Sequence, residues 1–303
     1  MEAQTATAFY FNSIYIIESL RNGEDKTGEE LYNDLIKRQT YIIKDLKTYL
    51  HRINTKKDFF DTLETIFQAC KNELYFPVLH IEMHGNKQGL ETSSGEFIKW
   101  EEIYPFFVSI NILCQNNFFV TLAVCSGAHI MQIIQIDKPS PFWGILGSFD
   151  EIKAEDIRVR FYDFYQEFFN SFHIDNAIER LHKANPGNNT LYKFINSEHV
   201  FIIAYYGYLR NQIKPKGLDE RAKRVINENA LKQNWFSRGE RRRKQKDFKK
   251  IILETKEKNY REHCSKFMMF DRYPDNRKRF IVPETTAKLE RFYKSIHQGQ
   301  KQP

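Results

Sequence analysis

The chain is poor in cysteine: four in 303 residues, at Cys70, Cys114, Cys125 and Cys264, with no Cys-x-x-Cys pair. That count and scatter argue against a disulfide framework and fit free thiols in a reducing compartment. No apolar run approaches the roughly 18 residues that crossing a bilayer takes. The longest, Phe9–Ile17 and Val200–Tyr206, have the size of strands or short helices. The opening residues Met1-Glu2-Ala3-Gln4 lack the basic and apolar regions of a secretory leader, so a cytoplasmic protein without membrane contact is expected. There is no internal repeat, and no low-complexity tract beyond the short tail after His297. What the chain does have is aromatic material for a core, with 26 Phe and 16 Tyr, and a charged fraction of 28%, ordinary for a globular protein.

The net charge of +7 conceals two unlike parts. Residues 214–303 carry 26 Lys/Arg against 12 Asp/Glu, a net of +14, and residues 1–213 carry 20 against 27, a net of −7. A break in character near Pro215-Lys216-Gly217 follows.

Periodicity predicts alternating strands and helices up to about residue 195. Phe9–Ser19 is strand-like. Glu29–Arg52 has helical spacing through Leu31, Leu35, Tyr41, Ile42, Leu46 and Leu50. Asp58–Lys71 is a second helix, with Leu63, Ile66, Phe67 and Cys70 on one face. Phe76–His84 is a strand. A Gly- and Ser-containing turn, Gly89–Gly95, leads to a short edge strand Gly95–Trp100. Glu101–Leu113 is a helix, Phe118–Cys125 a strand, Phe142–Phe149 a strand and Ala154–Phe172 a helix. Ile174–Ala184 is a shorter helix, ended by Asn185-Pro186-Gly187. Such alternation predicts an α/β fold with a mostly parallel sheet flanked by helices. From Asn196 the pattern is helical: Glu198–Gln212 with Ser197 as cap, then Leu218–Trp235 and Glu240–Phe270. We therefore divide the chain into a domain at 1–195 and a helical, basic C-terminal extension at 196–303.

Two segments carry the chemistry. Val78-Leu79-His80-Ile81-Glu82-Met83-His84-Gly85 and Leu122-Ala123-Val124-Cys125-Ser126-Gly127 are apolar runs that each stop at a reactive side chain near glycine. A strand that delivers its side chain to the carboxyl end of an open sheet places it where such sheets bind ligands. Cys125 and His84 form the minimal set for a thiol nucleophile and its base. His84 would take the thiol proton and return it to the leaving amine. The N–H groups of Gly85 and Cys125 are the natural oxyanion donors. A helix starting after Gly127 would turn its positive end toward the nucleophile. His129 is a second possible base, placed on that helix and pointing away. Asp150 and Glu151 follow the Phe142–Phe149 strand and can bind a Lys or Arg side chain of a substrate; Glu155 and Asp156 stand just beyond. His80, Glu82 and His84 alternate on one strand and can face one side together. They lack the His-Glu-x-x-His spacing and a further ligand set, so no metal is expected, nor any other cofactor.

On these residues the chain resembles the caspase-fold cysteine peptidases. Among them it is most similar to the bacterial caspase-like group that includes the CHAT domains. The resemblance rests on His84-Gly85, Gly95-Glu96, Trp100, Ile110-Asn111, Cys125-Ser126-Gly127 and Phe142-Trp143-Gly144, and covers about residues 5–195. It implies a caspase-type sheet, a His84–Cys125 dyad, and oxyanion donors at Gly85 and Cys125. Animal caspases carry Gln-Ala-Cys-Arg-Gly at the nucleophile, and here the stretch is Ala123-Val124-Cys125-Ser126-Gly127. Ala123 cannot help to hold a substrate aspartate as that Gln does. Only Ala128–Pro141 stands where the family has an activation linker, so control by a partner or ligand is expected in place of linker cleavage. The implied activity is endopeptidase cleavage of a protein partner through a thioester. The implied setting is a triggered effector of bacterial anti-phage defence or programmed cell death.

Cys70 and Cys114 lie on apolar helix faces and are expected in the core, and His263-Cys264 lies in a charged helix with no evident chemistry. The basic region 214–303, with Trp235, Phe236, Tyr260, Phe270 and Tyr273 interleaved, is a candidate for nucleic-acid contact or for docking on an acidic protein surface. The alternative to a peptidase is a catalytically silent docking module that uses this region to bind its partner.

Overall fold

The computed structural model describes residues 9–184, 191–233 and 237–298. Its centre is a sheet of strands β1 (Ser13–Ser19), β2 (Lys47–Arg52), β3 (Pro77–Asn86), β6 (Phe119–Ala123), β7 (Gly144–Ser148) and β8 (Tyr192–Asn196), in the order β2-β1-β3-β6-β7-β8. All neighbours are parallel except β7 and β8. Strands β4 (Gly89–Glu91) and β5 (Phe97–Lys99) extend the end of β3 as a small antiparallel meander. The central strands β1, β6 and β7 are buried along their whole length. This explains their continuous apolar runs, because a parallel sheet covered on both faces has no solvent side to alternate toward.

The helices are α1 (Thr27–Leu31), α2 (Lys56–Glu73), α3 (Trp100–Leu113), α4 (Ala154–Ser171), α5 (Ile174–Lys183), α6 (Ser197–Tyr208), α7 (Pro215–Gln233), α8 (Arg238–Phe267), α9 (Asn276–Arg279) and α10 (Thr286–Gln298). Helix α2 starts at a reciprocal cap: the Thr55 side chain accepts from the Asp58 N–H, and Asp58 accepts from the Thr55 N–H. It ends at Leu74 in the left-handed region. The mostly parallel, helix-flanked sheet predicted from the sequence is thus present.

Four local expectations need correction. The helix predicted over 29–52 is three things: α1 with a π-helical turn (Tyr32–Ile36), a 3-10 turn (Lys37–Tyr41), and strand β2. The periodicity was accidental there, since Tyr41 and Ile42 are 85% and 75% exposed. The supposed turn Gly89–Gly95 contains β4, where Gly89 is packed so closely on Ile98 that no Cβ fits. Strand β8 was not foreseen; it pairs antiparallel with β7 and spans the 195/196 boundary. Helix α6 is capped by Asn196, whose side chain accepts from the His199 N–H at 2.9 Å, rather than by Ser197. The turn Asn185-Pro186-Gly187 and the aromatics Trp235 and Phe236 lie outside the described residues.

The C-terminal helices share the core of the sheet. Tyr260, Phe267, Met268 and Phe280 belong to the same buried cluster as Phe118 and Trp143. The Ser140 N–H donates to the Phe267 carbonyl at 3.0 Å, and Tyr273 Oη donates to the Ile112 carbonyl at 2.8 Å. Arg279 donates to the Gln115 and Asn116 carbonyls and to Asn117 Oδ1. Among the described residues, no helix is long and apolar enough to cross a membrane.

Candidate functional site

Strands β3 and β6 pair in parallel from Val78 and Phe119 to Glu82 and Ala123. His84 lies two residues past that pairing on β3, and Cys125 two residues past the end of β6, both at the carboxyl end of the sheet. Cys125 follows the end of β6 in a tight turn. Ser126 adopts the left-handed conformation (φ +57°), the Gly127 N–H donates to the Val124 carbonyl at 3.1 Å, and a 3-10 helix (Gly127–Ile133) follows. The helix expected after Gly127 is therefore a short 3-10 segment. The turn leaves Cys125 half-buried, whereas Cys70, Cys114 and Cys264 are buried. Burial pushes the Cys264 thiol up to about 12, and burial beside Cys70 raises Cys114 well above its ordinary value.

The segment after β7 closes over the turn. The Ser126 N–H donates to the Asp150 carbonyl at 3.0 Å, and the Ile152 N–H donates to Cys125 Sγ at 3.3 Å. Asp150 and Glu151 follow β7 in this segment and are exposed. Glu155 instead joins Asp25 and Glu30 around Arg158, and Asp156 pairs with the buried Arg160. Gly85 stands opposite Leu90 in the β3–β4 ladder. A Cβ on Gly85 would lie 2.4 Å from Val124 Cγ1 and 3.4 Å from the Cys125 carbonyl oxygen, so the main chain comes close there because there is no side chain. His129 bonds Gln132 through Nδ1 at 2.7 Å and sets its ring edge-on to Phe149.

The partner of His84 was not legible in the sequence. Its Nε2 lies 2.9 and 3.1 Å from the two carboxylate oxygens of Glu24, in the loop between β1 and α1. The Arg21 N–H holds Glu24 Oε2 at 2.7 Å, and the Arg21 guanidinium pairs with Glu91 on β4. Burial acts to raise the Glu24 carboxyl, but the Arg21 N–H and His84 outweigh it and hold it below its ordinary value. No hydrogen bond joins His84 to Cys125 among the described residues, and His84 Nδ1 is the nitrogen that Glu24 leaves open.

Beneath this surface lies a buried polar cluster that the sequence reading also missed. Glu18 on β1 and Glu82 on β3 are in register and only 3% and 2% exposed. A Cβ on Gly28 would lie 3.1 Å from an oxygen of each carboxyl, so the two groups converge on one point of α1. Thr27 Oγ1 donates to Glu82, and the Glu29 N–H donates to Glu18 at 3.0 Å. His80 Nδ1 meets Thr121 Oγ1 at 2.8 Å, and Thr121 in turn meets Tyr165 Oη at 2.9 Å. Burial pushes Glu82 up to about 8 and His80 down to about 3, and it raises Glu18 as well. The 3.5 Å approach of His80 Nε2 to Glu82 is therefore a contact of neutral groups, not an ion pair. Hence His80 and Glu82 face inward while His84 pairs with Glu24; among the described residues no set of three His, Cys, Asp or Glu can hold a metal ion.

A pH dependence of stability follows. Unfolded, Glu82 loses its proton near 4.5; folded, it keeps it to about 8. The folded state is therefore disfavoured progressively as pH rises through that window. Glu82→Gln should stabilise the protein little at pH 4.5, and most at about pH 8, by on the order of 3 kcal/mol. Urea denaturation at both pH values checks this, and a gain of equal size at both would show that Glu82 is not the buried acid described.

No protein-family model matches the chain, and no curated protein does. Among solved structures it is similar to caspase-1 from Spodoptera frugiperda, at 12% identity and a TM-score of 0.42, over 65% of this chain and 92% of that chain. The architecture stands on the strand order and pairing above, not on that likeness.

Proposed function

We propose that the chain is a cysteine endopeptidase of caspase type, with Cys125 as nucleophile and His84 as base. The observation that supports it is the parallel pairing of β3 with β6, which carries His84 and Cys125 to the same end of the sheet, with Cys125 half-buried and the other three thiols buried. Glu24 fixes His84 through Nε2, leaving Nδ1 to take the Cys125 proton. The thiolate adds to the scissile carbonyl, and backbone N–H groups at Cys125 and Gly85 receive the oxyanion. His84 returns the proton to the departing amine, and water then hydrolyses the thioester to release the acid and restore the thiol. The exposed carboxylates of Asp150 and Glu151 favour a substrate with Lys or Arg at the cleavage position.

The substrate in this reading is a protein, and a second partner or ligand controls its cleavage. The affiliation with the bacterial CHAT-type group, and the role of a triggered effector in anti-phage defence or cell death in the cytoplasm, rest on the sequence motifs alone.

Alkylation rates of the four cysteines, followed by mass spectrometry over a pH series, test the reading. Cys125 should react at least about tenfold faster than the other three, and His84→Ala should remove most of that advantage. Slow labelling of Cys125 that ignores His84 in the folded protein, with or without substrate peptides, would count against the dyad.

A further inference from the structure

We propose that the outward face of α8 binds the phosphate backbone of nucleic acid, without reading its sequence. Helix α8 runs 30 residues from Arg238 to Phe267. Its inner side is anchored: Tyr260, Cys264 and Phe267 are buried, Lys249 pairs with Asp219 of α7, and the Arg221 guanidinium of α7 lies over the Phe248 ring at 5.9 Å. This leaves Arg238, Arg242, Arg243, Lys246 and Lys250 exposed on the outer side of the first half. Arg238, Arg242, Lys246 and Lys250 follow one another at every fourth position, a stripe with steps of about 6 Å and a length of about 18 Å.

The placement of these cations works against the helix. Four arginines, Arg238, Arg241, Arg242 and Arg243, occupy its first six residues, at the positive end of the macrodipole where carboxylates are favoured. Like charges four apart on one face also repel. Glu240 is drawn to Arg243 and Lys244, but along the stripe itself the carboxylates nearby reach only Lys250. Glu240 is engaged by the Ser237 N–H in the capping box, Asp247 is the one other acid in this half, and Glu254 reaches Lys250 only at 3.8 Å. A stripe that opposes its own helix, on an element otherwise well anchored, marks a surface shaped by a partner rather than by folding. A nucleic-acid strand presents one phosphate per about 3.4 Å, so the stripe spans about five of them, and release of their counterions drives binding. No aromatic side chain is exposed along the stripe between residues 238 and 250, which argues for backbone contact and not base stacking. The proposal is independent of the peptidase reading.

Fluorescence anisotropy of the full chain with labelled duplex DNA and single-stranded RNA of about 20 residues tests it, over roughly 50 to 300 mM KCl. At least one probe should bind, with a log–log salt slope of about −3 to −4. Arg242→Glu with Lys246→Glu should weaken binding at least about thirtyfold and flatten the slope by about 2, while Arg242→Gln with Lys246→Gln lies between. Both variants should melt at or above the wild-type temperature, since each removes a like-charge pair and a cation from the positive end, so lost binding cannot be lost folding. Failure of both probes to bind at the lowest salt, undiminished binding by the Glu variant, or binding to phosphatidylserine vesicles in their place overturns the proposal.

Discussion

Replacing Cys125 with alanine is expected to abolish peptide cleavage, by at least about four orders of magnitude, and to leave the fold intact. The two effects separate because of where the residue sits. Cys125 is half-buried in the turn after β6, and its sulfur accepts from the Ile152 N–H at 3.3 Å and donates to the Ile152 carbonyl at 3.7 Å. Removing it deletes no packed core volume, so the change in stability should stay within about 1 kcal/mol. Chemically, nothing nearby replaces it: the side chain of Ser126 turns to the Phe149 carbonyl. His84→Ala should cost about 10²- to 10⁴-fold, and Glu24→Gln less, because Gln can still hold the ring but carries no charge to favour the imidazolium. Cleavage of a Lys- and Arg-containing peptide library, with melting temperature measured on the same samples, checks all three. Wild-type cleavage by Cys125→Ala would remove the thioester from the mechanism.

Trp143→Ala should have the largest effect on stability, a loss of about 3–5 kcal/mol. Trp143 is fully buried at the entry to β7. Its ring stacks on Phe9 at 4.3 Å and meets Phe119 and Phe194 at 5.8 and 5.7 Å. Its backbone N–H donates to the Phe118 carbonyl, and its carbonyl accepts from the Ser197 N–H, both at 2.8 Å. The site therefore joins the N-terminal segment, β6, β8 and the start of α6. Such a junction cannot collapse around a deleted ring without moving several elements, so most of the cavity persists. At roughly 2 °C per kcal/mol for a chain of this size, the midpoint should fall by on the order of 6–10 °C. Tyr41→Ala, at a residue 85% exposed, is the control and should change stability by less than about 0.5 kcal/mol. Equal shifts for the two would mean that Trp143 is not packed as described.

The legible parts of the fold were those with a long, consistent period. The central strands announced themselves as apolar runs because both their faces are covered. Helix α2 announced itself because Leu63, Ile66 and Cys70 keep a helical spacing and are all buried. Where a few apolar residues mimicked that spacing, as from Leu31 to Leu50, the reading joined a helix, two turns and a strand into one helix. Strand β8 escaped because five residues at a sheet edge carry too short a pattern: Tyr192 is buried, but Lys193 beside it is exposed.

At the candidate site the same distinction holds. The sequence by itself determined that a His-Gly and a Cys-Ser-Gly each end an apolar strand, because the strand and its stop are local and written in consecutive residues. It also determined the basic character of α8, since charge is additive along a chain. Only the tertiary structure decided what those groups meet. Glu24 reaches His84 across 60 positions, and Asp150 reaches the Cys125 turn through a backbone carbonyl that no side-chain pattern encodes. Glu18 and Glu82 are each a lone carboxyl in an apolar strand, and become a pair only because β1 and β3 align them in register. Register and loop closure arise from the packing of the whole sheet, and burial then sets the charge of what they enclose.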